Sequence, residues 1–373
     1  MKPTSRAQQN MEALSKLMFE GYADTLDEPV NDPQSIQSVL QYVASLSPTE
    51  LTEFFELANS HHVLVRALSV LKEASQRSSV PEHRWIVEAC AIELEKENAR
   101  VQYAVGALGT ICDVFESHGC RVAVIKSLDH WPDLGSDLDL YTDGDPDQVV
   151  RIMSGDLKAK PEERSWGDRL ANKWNFNVPG LPELVEIHVQ YLGQTGEHKR
   201  MAHRVIERRT PKTVGGRSFL VAAPEERILI STLQRMYRHF YFRLCDMADT
   251  ARLVSSKTVN FEELQEAAKV GGIWTGVATY LFLVAKYVEQ YGLKVVLPGE
   301  VIASTCSPHI RVHFEDGFLR VPKLPAAGLY GSQLWKAGLH RDFRAVCRLP
   351  LLPPLAVSAL VAYRLTGSDK GVW

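Results

Sequence analysis

The chain of 373 residues is long enough to bury a full core and corresponds to two or three domain-sized units. Lys and Arg number 42 against 45 for Asp and Glu, a formal charge of −3, so no basic excess points to nucleic acid as a partner, although a local basic patch remains compatible. Six cysteines, at 90, 112, 120, 245, 306 and 347, are scattered without C-x-x-C spacing, which predicts reduced, buried thiols.

The opening stretch MKPTSRAQQNMEALSKLM has no apolar core of the secretory kind, so a cytoplasmic protein is expected. The first 118 residues read as successive helices. Ser47, Pro48 and Glu50 supply an N-cap, a proline at the first helical position and the reciprocal partner of a capping box. Over residues 81–118, Trp85, Ile86, Ala89, Ile92, Ala99, Ala104, Leu108, Ile111 and Phe115 recur at roughly helical spacing. One long helix is expected there, with Gly106 and Gly109 as the places for a bend.

Gly119 should close that helix in the left-handed conformation, after which residues 121–125 switch to the β-branched pattern of a strand. Further strands are expected at 138–142, 174–178 and 184–191, with an edge strand at 217–221 and a helix running from the Asp145-Pro146 cap through Met153. Pro224-Glu225-Glu226 opens a second helical block over 227–254, followed by helices near 260–270 and 274–291. Beyond 293, prolines and glycines break the pattern. The apolar stretch 349–363 falls short of the roughly 20 residues of a spanning helix and contains Pro350, Pro353 and Pro354. It predicts a packing helix from near Pro354, with membrane-surface contact as the alternative.

Extending the strand at 138–142 back by one residue puts Asp137 and Asp139 on one face, with Leu138 and Leu140 turned to the core. Without a cation the two carboxylates would repel and one would be driven to protonate, so a divalent ion accounts for the pair. Mg²⁺ suits it, being held by one or two carboxylates together with substrate phosphates; Mn²⁺ is the alternative. Glu186, in a neighbouring strand, supplies a third acid, and His188 shares its face. Two ions roughly 4 Å apart would align an attacking oxygen and stabilise departing pyrophosphate, with Glu186 binding the catalytic ion and helping to activate the acceptor hydroxyl. Asp137, Asp139 and Glu186 are therefore the expected catalytic and metal-binding residues. Lys126 and Ser127, at a tight turn after the first strand, are suited to hold triphosphate oxygens, with Ser136 and His188 as further nucleotide-side residues.

This pattern resembles the polymerase-β-like nucleotidyltransferase superfamily and, within it, a large group of bacterial nucleotidyltransferase-family proteins. The resemblance rests on Lys126-Ser127, Trp131-Pro132, Ser136-Asp137-Leu138-Asp139-Leu140, Val185-Glu186-Ile187-His188, Pro224-Glu225-Glu226, and the helical residues His239, Arg243, Leu244 and Asp249. It is strongest over 119–290. It implies an α+β fold in which a small mixed-sheet nucleotidyltransferase domain (119–222) lies between an N-terminal helical region (1–118) and a helical domain (223–292), followed by a C-terminal extension (293–373) with a packing helix. The implied reaction is metal-dependent transfer of a nucleoside monophosphate from an NTP, such as ATP, to an unidentified small-molecule or macromolecular acceptor, releasing pyrophosphate. Two departures fall near the triphosphate: the turn lacks the group's usual glycine, and Asp133-Leu-Gly-Ser stands where an Arg often precedes the first Asp.

Other charged features have plainer readings. Asp143, Asp145 and Asp147 suit a solvated loop and helix cap and lack the terminal Glu of a calcium loop. The basic run through His198, Lys199, Arg200, His203, Arg204, Arg208 and Arg209 suits a solvated helix face better than an acceptor patch. His239, Arg243 and Asp249 suit a polar network joining the helical and catalytic domains. Two rivals to an enzyme stand: a catalytically degenerate relative that binds a nucleotide or a partner protein, and a helical interaction protein with the α/β part as scaffold.

Overall fold

The computed structural model describes residues 5–21, 33–78, 80 and 83–366. Helices α1 (Arg6–Lys16), α2 (Pro33–Ala44), α3 (Pro48–Ser60), α4 (Leu64–Arg77) and α5 (Arg84–Ser117) lead the chain. The capping box opens α3 as expected: the Ser47 hydroxyl accepts the Glu50 N–H at 3.4 Å, and Glu50 Oε2 accepts the Ser47 N–H at 2.8 Å. The expected start of the long helix at Pro81 lies outside the described residues. α5 runs uninterrupted for 34 residues. Its first half buries Ile86, Cys90 and Leu94 against the N-terminal helices, and its second half, from Val101 to Phe115, joins a separate core beneath the sheet. Gly109 makes room for Arg217, whose guanidinium would collide with a Cβ there and whose Nη1 donates to the Gly106 carbonyl at 3.1 Å.

Gly119 takes φ +69° at the end of α5. Then follow β1 (Val122–Val124), a 3-10 turn (Ser127–His130), β2 (Asp137–Thr142), α6 (Pro146–Arg151), β3 (Lys160–Pro161), α7 (Trp166–Ala171), β4 (Lys173–Asn177), β5 (Leu184–Val189), α8 (Arg200–Glu207), β6 (Thr210–Val214) and β7 (Arg217–Val221). These strands form one mixed sheet in the order β3-β4-β5-β2-β1-β7-β6. β2 is parallel to β5 and β1 to β7; the remaining neighbours are antiparallel. The sequence pattern does not predict β3 or β6. β7, expected at an edge, is interior because β6 covers it, and β6 is the edge strand that tolerates Pro211.

Alternation sorts the sheet faces. Val122, Val124, Leu138, Leu140, Val185 and Ile187 enter the core under the second half of α5, whereas Ala123, Ile125 and Tyr141 meet the helices that follow. Asp137 and Asp139 lie on the Tyr141 side of β2, facing those helices.

The expected continuous block over 227–254 is broken. α9 (Pro224–Gln234) runs into a π-helical turn (Arg235–His239); Phe240 then takes φ +56°, and β8 (Tyr241–Phe242) precedes α10 (Leu244–Ser255). α11 (Phe261–Val270) and α12 (Trp274–Val288) match expectation. Beyond them the chain is more ordered than its prolines and glycines suggest: α13 (Gly299–Ala303), β9 (His313–Glu315), β10 (Phe318–Arg320), α14 (Lys323–Leu339), α15 (Phe343–Arg348) and α16 (Leu352–Thr366). β8, β10 and β9 form a small second sheet that anchors the break between α9 and α10. α16 starts at Leu352, and its Val357, Val361 and Leu365 are exposed. Among the described residues no helix is long and apolar enough to cross a membrane. All six cysteines are free, but Cys306 and Cys347 are exposed, which corrects the expectation of burial throughout.

Candidate active site

The pairing register brings the acids together. Asp139 on β2 lies directly opposite Glu186 on β5, and Asp137 lies opposite Leu184 one pleat away. The preceding turn is fastened to β2 by Ser127, whose hydroxyl accepts the Asp139 N–H at 2.7 Å and donates to the Asp137 carbonyl at 3.3 Å. The Ser136 hydroxyl donates to Asp137 Oδ2 at 3.3 Å. Lys126 has φ +60° and ψ −60°, and the Ser127 N–H bonds the Ile125 carbonyl at 2.6 Å. This is a γ-turn centred on a non-glycine residue, a strained geometry.

Lys126 Nζ contacts Asp139 Oδ1 and lies 3.4 Å from Glu186 Oε1. Glu186 also accepts from His188 Nε2 at 2.7 Å and from Lys173 Nζ at 2.9 Å, and Lys173 pairs with Asp168 at 2.9 Å. Asp139, Glu186 and His188 each present a ligand atom within 4.8 Å of the others. Asp137 adjoins this group and lines the same cleft but does not belong to the tight cluster. His188 therefore stands closer to Asp139 and Glu186 than a purely nucleotide-side residue would.

The charges are unevenly compensated. Burial pushes the Asp137 carboxyl above its usual range, and Asp139 and Glu186 add to the shift; among the described residues it makes no ion pair. Burial would also raise Glu186, but Lys126 and Lys173 outweigh it and hold this carboxyl well below the usual range. Lys126 is raised in turn, because Asp139 and Glu186 overcome its burial.

Across from the acids, the break between α9 and α10 supplies a cationic wall. Gln234, Arg235, Arg238, His239, Tyr241 and Arg243 line the same cleft as Lys126, Ser127, Ser136, Asp137, Asp139 and Glu186. Arg235 is paired with Asp246 at 2.8 Å through Nε; among the described residues Arg235 Nη1 and the Nε atoms of Arg238 and Arg243 are buried without a hydrogen-bond partner. Burial, reinforced by Arg238, Arg235 and Arg243, depresses His239 to about 2. The cleft has a volume of about 180 Å³, below the roughly 300–1,000 Å³ typical of small-molecule sites. The sequence reading overlooked Arg235, Arg238 and Lys173. The run Arg235-Met-Tyr-Arg238-His239-Phe-Tyr-Phe-Arg243, with three cations inside an otherwise apolar helical pattern, was the available signal for the first two.

Of the network expected from His239, Arg243 and Asp249, only Asp249 takes that role. It pairs with Arg66 Nη1 and His130 Nδ1, each at 2.7 Å, while His239 and Arg243 face the cleft. Asp133, standing where an Arg was expected, is buried against Arg66 Nε at 2.7 Å and the Val65 N–H at 2.6 Å. The basic run is solvated only in part: Lys199, Arg200 and His203 are exposed, whereas Arg204 and Arg208 pair with Glu225, Glu226 and Glu263. Asp145 caps α6 as expected, accepting the Asp147 N–H at 2.9 Å and the Gln148 N–H at 3.1 Å.

Residues 47–289 match a family model described as uncharacterised nucleotidyltransferase, a span that takes in the whole seven-stranded sheet and both walls of the cleft. Among solved structures, an antigenic nucleotidyltransferase-like protein from Paracoccidioides brasiliensis is similar at 15% identity and a TM-score of 0.33, over 50% of this chain and 93% of that one. That likeness is too distant to carry an argument. No curated protein matches the chain. The family match covers well over half of the sequence, and the chain belongs to the uncharacterised nucleotidyltransferase family.

Proposed function

We propose that this protein, acting in the cytoplasm, transfers a nucleoside monophosphate from an NTP to an acceptor hydroxyl with release of pyrophosphate, as a member of the polymerase-β-like superfamily. The observation that carries the reading is one cleft with Asp139 and Glu186 in register on parallel strands, Asp137 beside them and free arginines opposite. The three carboxylates fit Mg²⁺ or Mn²⁺ as hard oxygen donors, and Asp137, raised by burial and by Asp139 and Glu186, makes no ion pair among the described residues. Asp137, Asp139 and Glu186 would hold the ion, with His188 at their flank. When bound, a divalent ion supplies charge stabilisation at the reacting phosphoryl oxygens.

The chain's own residues divide the remaining work. Arg238 and Arg243 offer unengaged Nε donors for triphosphate oxygens, and the cations that add to burial in depressing His239 favour a polyanion in the cleft. Lys126 and Ser127 border the same space from the sheet side. Glu186 is already engaged by Lys126, Lys173 and His188, so we assign it to ligation and not to general-base work. The four-part division at 118, 222 and 292 remains our proposal for domain organisation, with α5 shared between the first two parts.

One observation favours a second reading. The Lys126 ammonium already bridges Asp139 and Glu186, as a cation would, and a degenerate relative could keep that bridge permanently in place of a metal. Incubating the protein with each labelled NTP, Mg²⁺ or Mn²⁺ and a cell extract separates the two. Metal-dependent pyrophosphate release with a labelled acceptor supports the enzyme; nucleotide binding without release supports the degenerate relative.

A further inference from the structure

At the rim of the cleft, three residues from distant parts of the chain converge. His62 lies in the turn between α3 and α4 and takes φ +52°; His130 ends the 3-10 turn after β1; Cys245 lies in the first turn of α10. Their ligand atoms all fall within 4.8 Å of one another. We propose that His62, His130 and Cys245 form a zinc site, separate from the carboxylate cluster, whose fourth position opens on the cleft.

The chemistry of the donors selects the ion. One thiol and two imidazoles suit Zn²⁺ and do not suit Mg²⁺, which takes hard oxygen ligands. His130 Nε2 lies 3.8 Å from Cys245 Sγ. Tetrahedral zinc with bonds of about 2.0–2.1 Å to nitrogen and 2.3 Å to sulfur places such a pair roughly 3.6 Å apart. The other His130 nitrogen, Nδ1, is bonded to Asp249 Oδ2 at 2.7 Å. A carboxylate behind an imidazole fixes its tautomer and turns Nε2 towards the ion. Among the described residues His62 Nδ1 is buried with no hydrogen-bond partner, and the ring packs 5.6 Å from that of His130. An unsatisfied buried nitrogen is costly, and coordination would satisfy it. His62 and His130 line the cleft while Cys245 is buried beneath them. Three protein ligands with an open fourth position are the pattern of zinc that binds water or a substrate group.

The test is Co²⁺ titration of the full chain, stripped with a chelator, kept reduced and supplied with excess Mg²⁺ to occupy the carboxylates. A sulfur-to-cobalt charge-transfer band should saturate at one equivalent and disappear on adding Zn²⁺. Cys245→Ser should abolish the band. His62→Gln, which leaves the buried thiol intact, should weaken Co²⁺ binding by at least about tenfold, with circular dichroism confirming that the variant is folded. Asp139→Asn should leave the band unchanged, which keeps this result independent of nucleotidyl transfer. No thiolate band in the parent chain, or a band that persists in Cys245→Ser, overturns the proposal.

Discussion

At the level of single residues, the site acids are not equivalent. Asp139 and Glu186 share the Lys126 ammonium, whereas Asp137 makes no ion pair among the described residues and is raised by burial and by both acids. Asp137→Asn should therefore leave the metal-free protein as stable as the parent or more stable, and Asp139→Asn should destabilise it, because a mostly buried ammonium loses a partner. The sign with pH follows from the raised Asp137 value: ionising this group in the folded chain opposes folding, so the gain from Asp137→Asn is full above the raised value. It should vanish as pH falls below the ordinary carboxylate range. Urea melts across pH check both halves. Both variants should lose turnover by several orders of magnitude if the ion is held there. Lys126 combines strain with charge, so Lys126→Met and Lys126→Gly separate the two. Without divalent ions both should be less stable than the parent, the glycine variant less so by about 1 kcal/mol because it accepts φ +60°. Mg²⁺ should stabilise both variants more than the parent, since no ammonium competes. An equal Mg²⁺ effect in all three proteins would remove Lys126 from the ion site.

At the level of elements, the break between α9 and α10 is decisive. A continuous helix would have spread the cations over successive turns; the π-helical turn, Phe240 at φ +56° and the short strand β8 instead set Arg238 and Arg243 along the cleft. Losing one charge-assisted hydrogen bond of about 1.5–3 kcal/mol weakens binding by about 10- to 100-fold. Arg238→Gln and Arg243→Gln should each reduce NTP affinity by that amount in calorimetry with little change in melting temperature; unchanged affinity would move the triphosphate to the Lys126 side. The α3 cap gives a control far from chemistry. Ser47→Ala should cost about 1 kcal/mol of stability by denaturant titration and leave nucleotide binding untouched.

At the level of the whole molecule, Arg66 ties the N-terminal helices to the segment between β1 and β2 and to α10. Its guanidinium meets Asp133 through Nε, Asp249 through Nη1 and the His62 carbonyl through Nη2 at 3.1 Å. Removing one member of such a buried set strands the others, so Arg66→Met should destabilise the protein by about 3–5 kcal/mol. Lysine, a single point charge, cannot span three acceptors, and Arg66→Lys should recover only part of that loss in the same unfolding experiment. α5 adds a second tie by burying one half in each core, which couples the N-terminal helices mechanically to the sheet.

Local pattern carried much of this. The Ser47 cap, the long helix, the left-handed Gly119, the strands around Asp137, Asp139 and Glu186 and their shared face were legible because periodicity and capping are properties of neighbouring residues. The pairing partner was not legible. β6 hides behind Pro211, β7 becomes interior only once β6 covers it, and Arg66 reaches Asp133 and Asp249 across 67 and 183 positions of sequence. The clustering of Asp139 with His188, the ammonium between the acids and the arginines opposite them likewise depend on which strands pair and where a helix breaks. The sequence by itself determined those elements that carry their own periodicity and caps, and the chemical identity of the acids. Only the tertiary structure decided which charges are compensated, because compensation depends on distances between segments that no local pattern encodes.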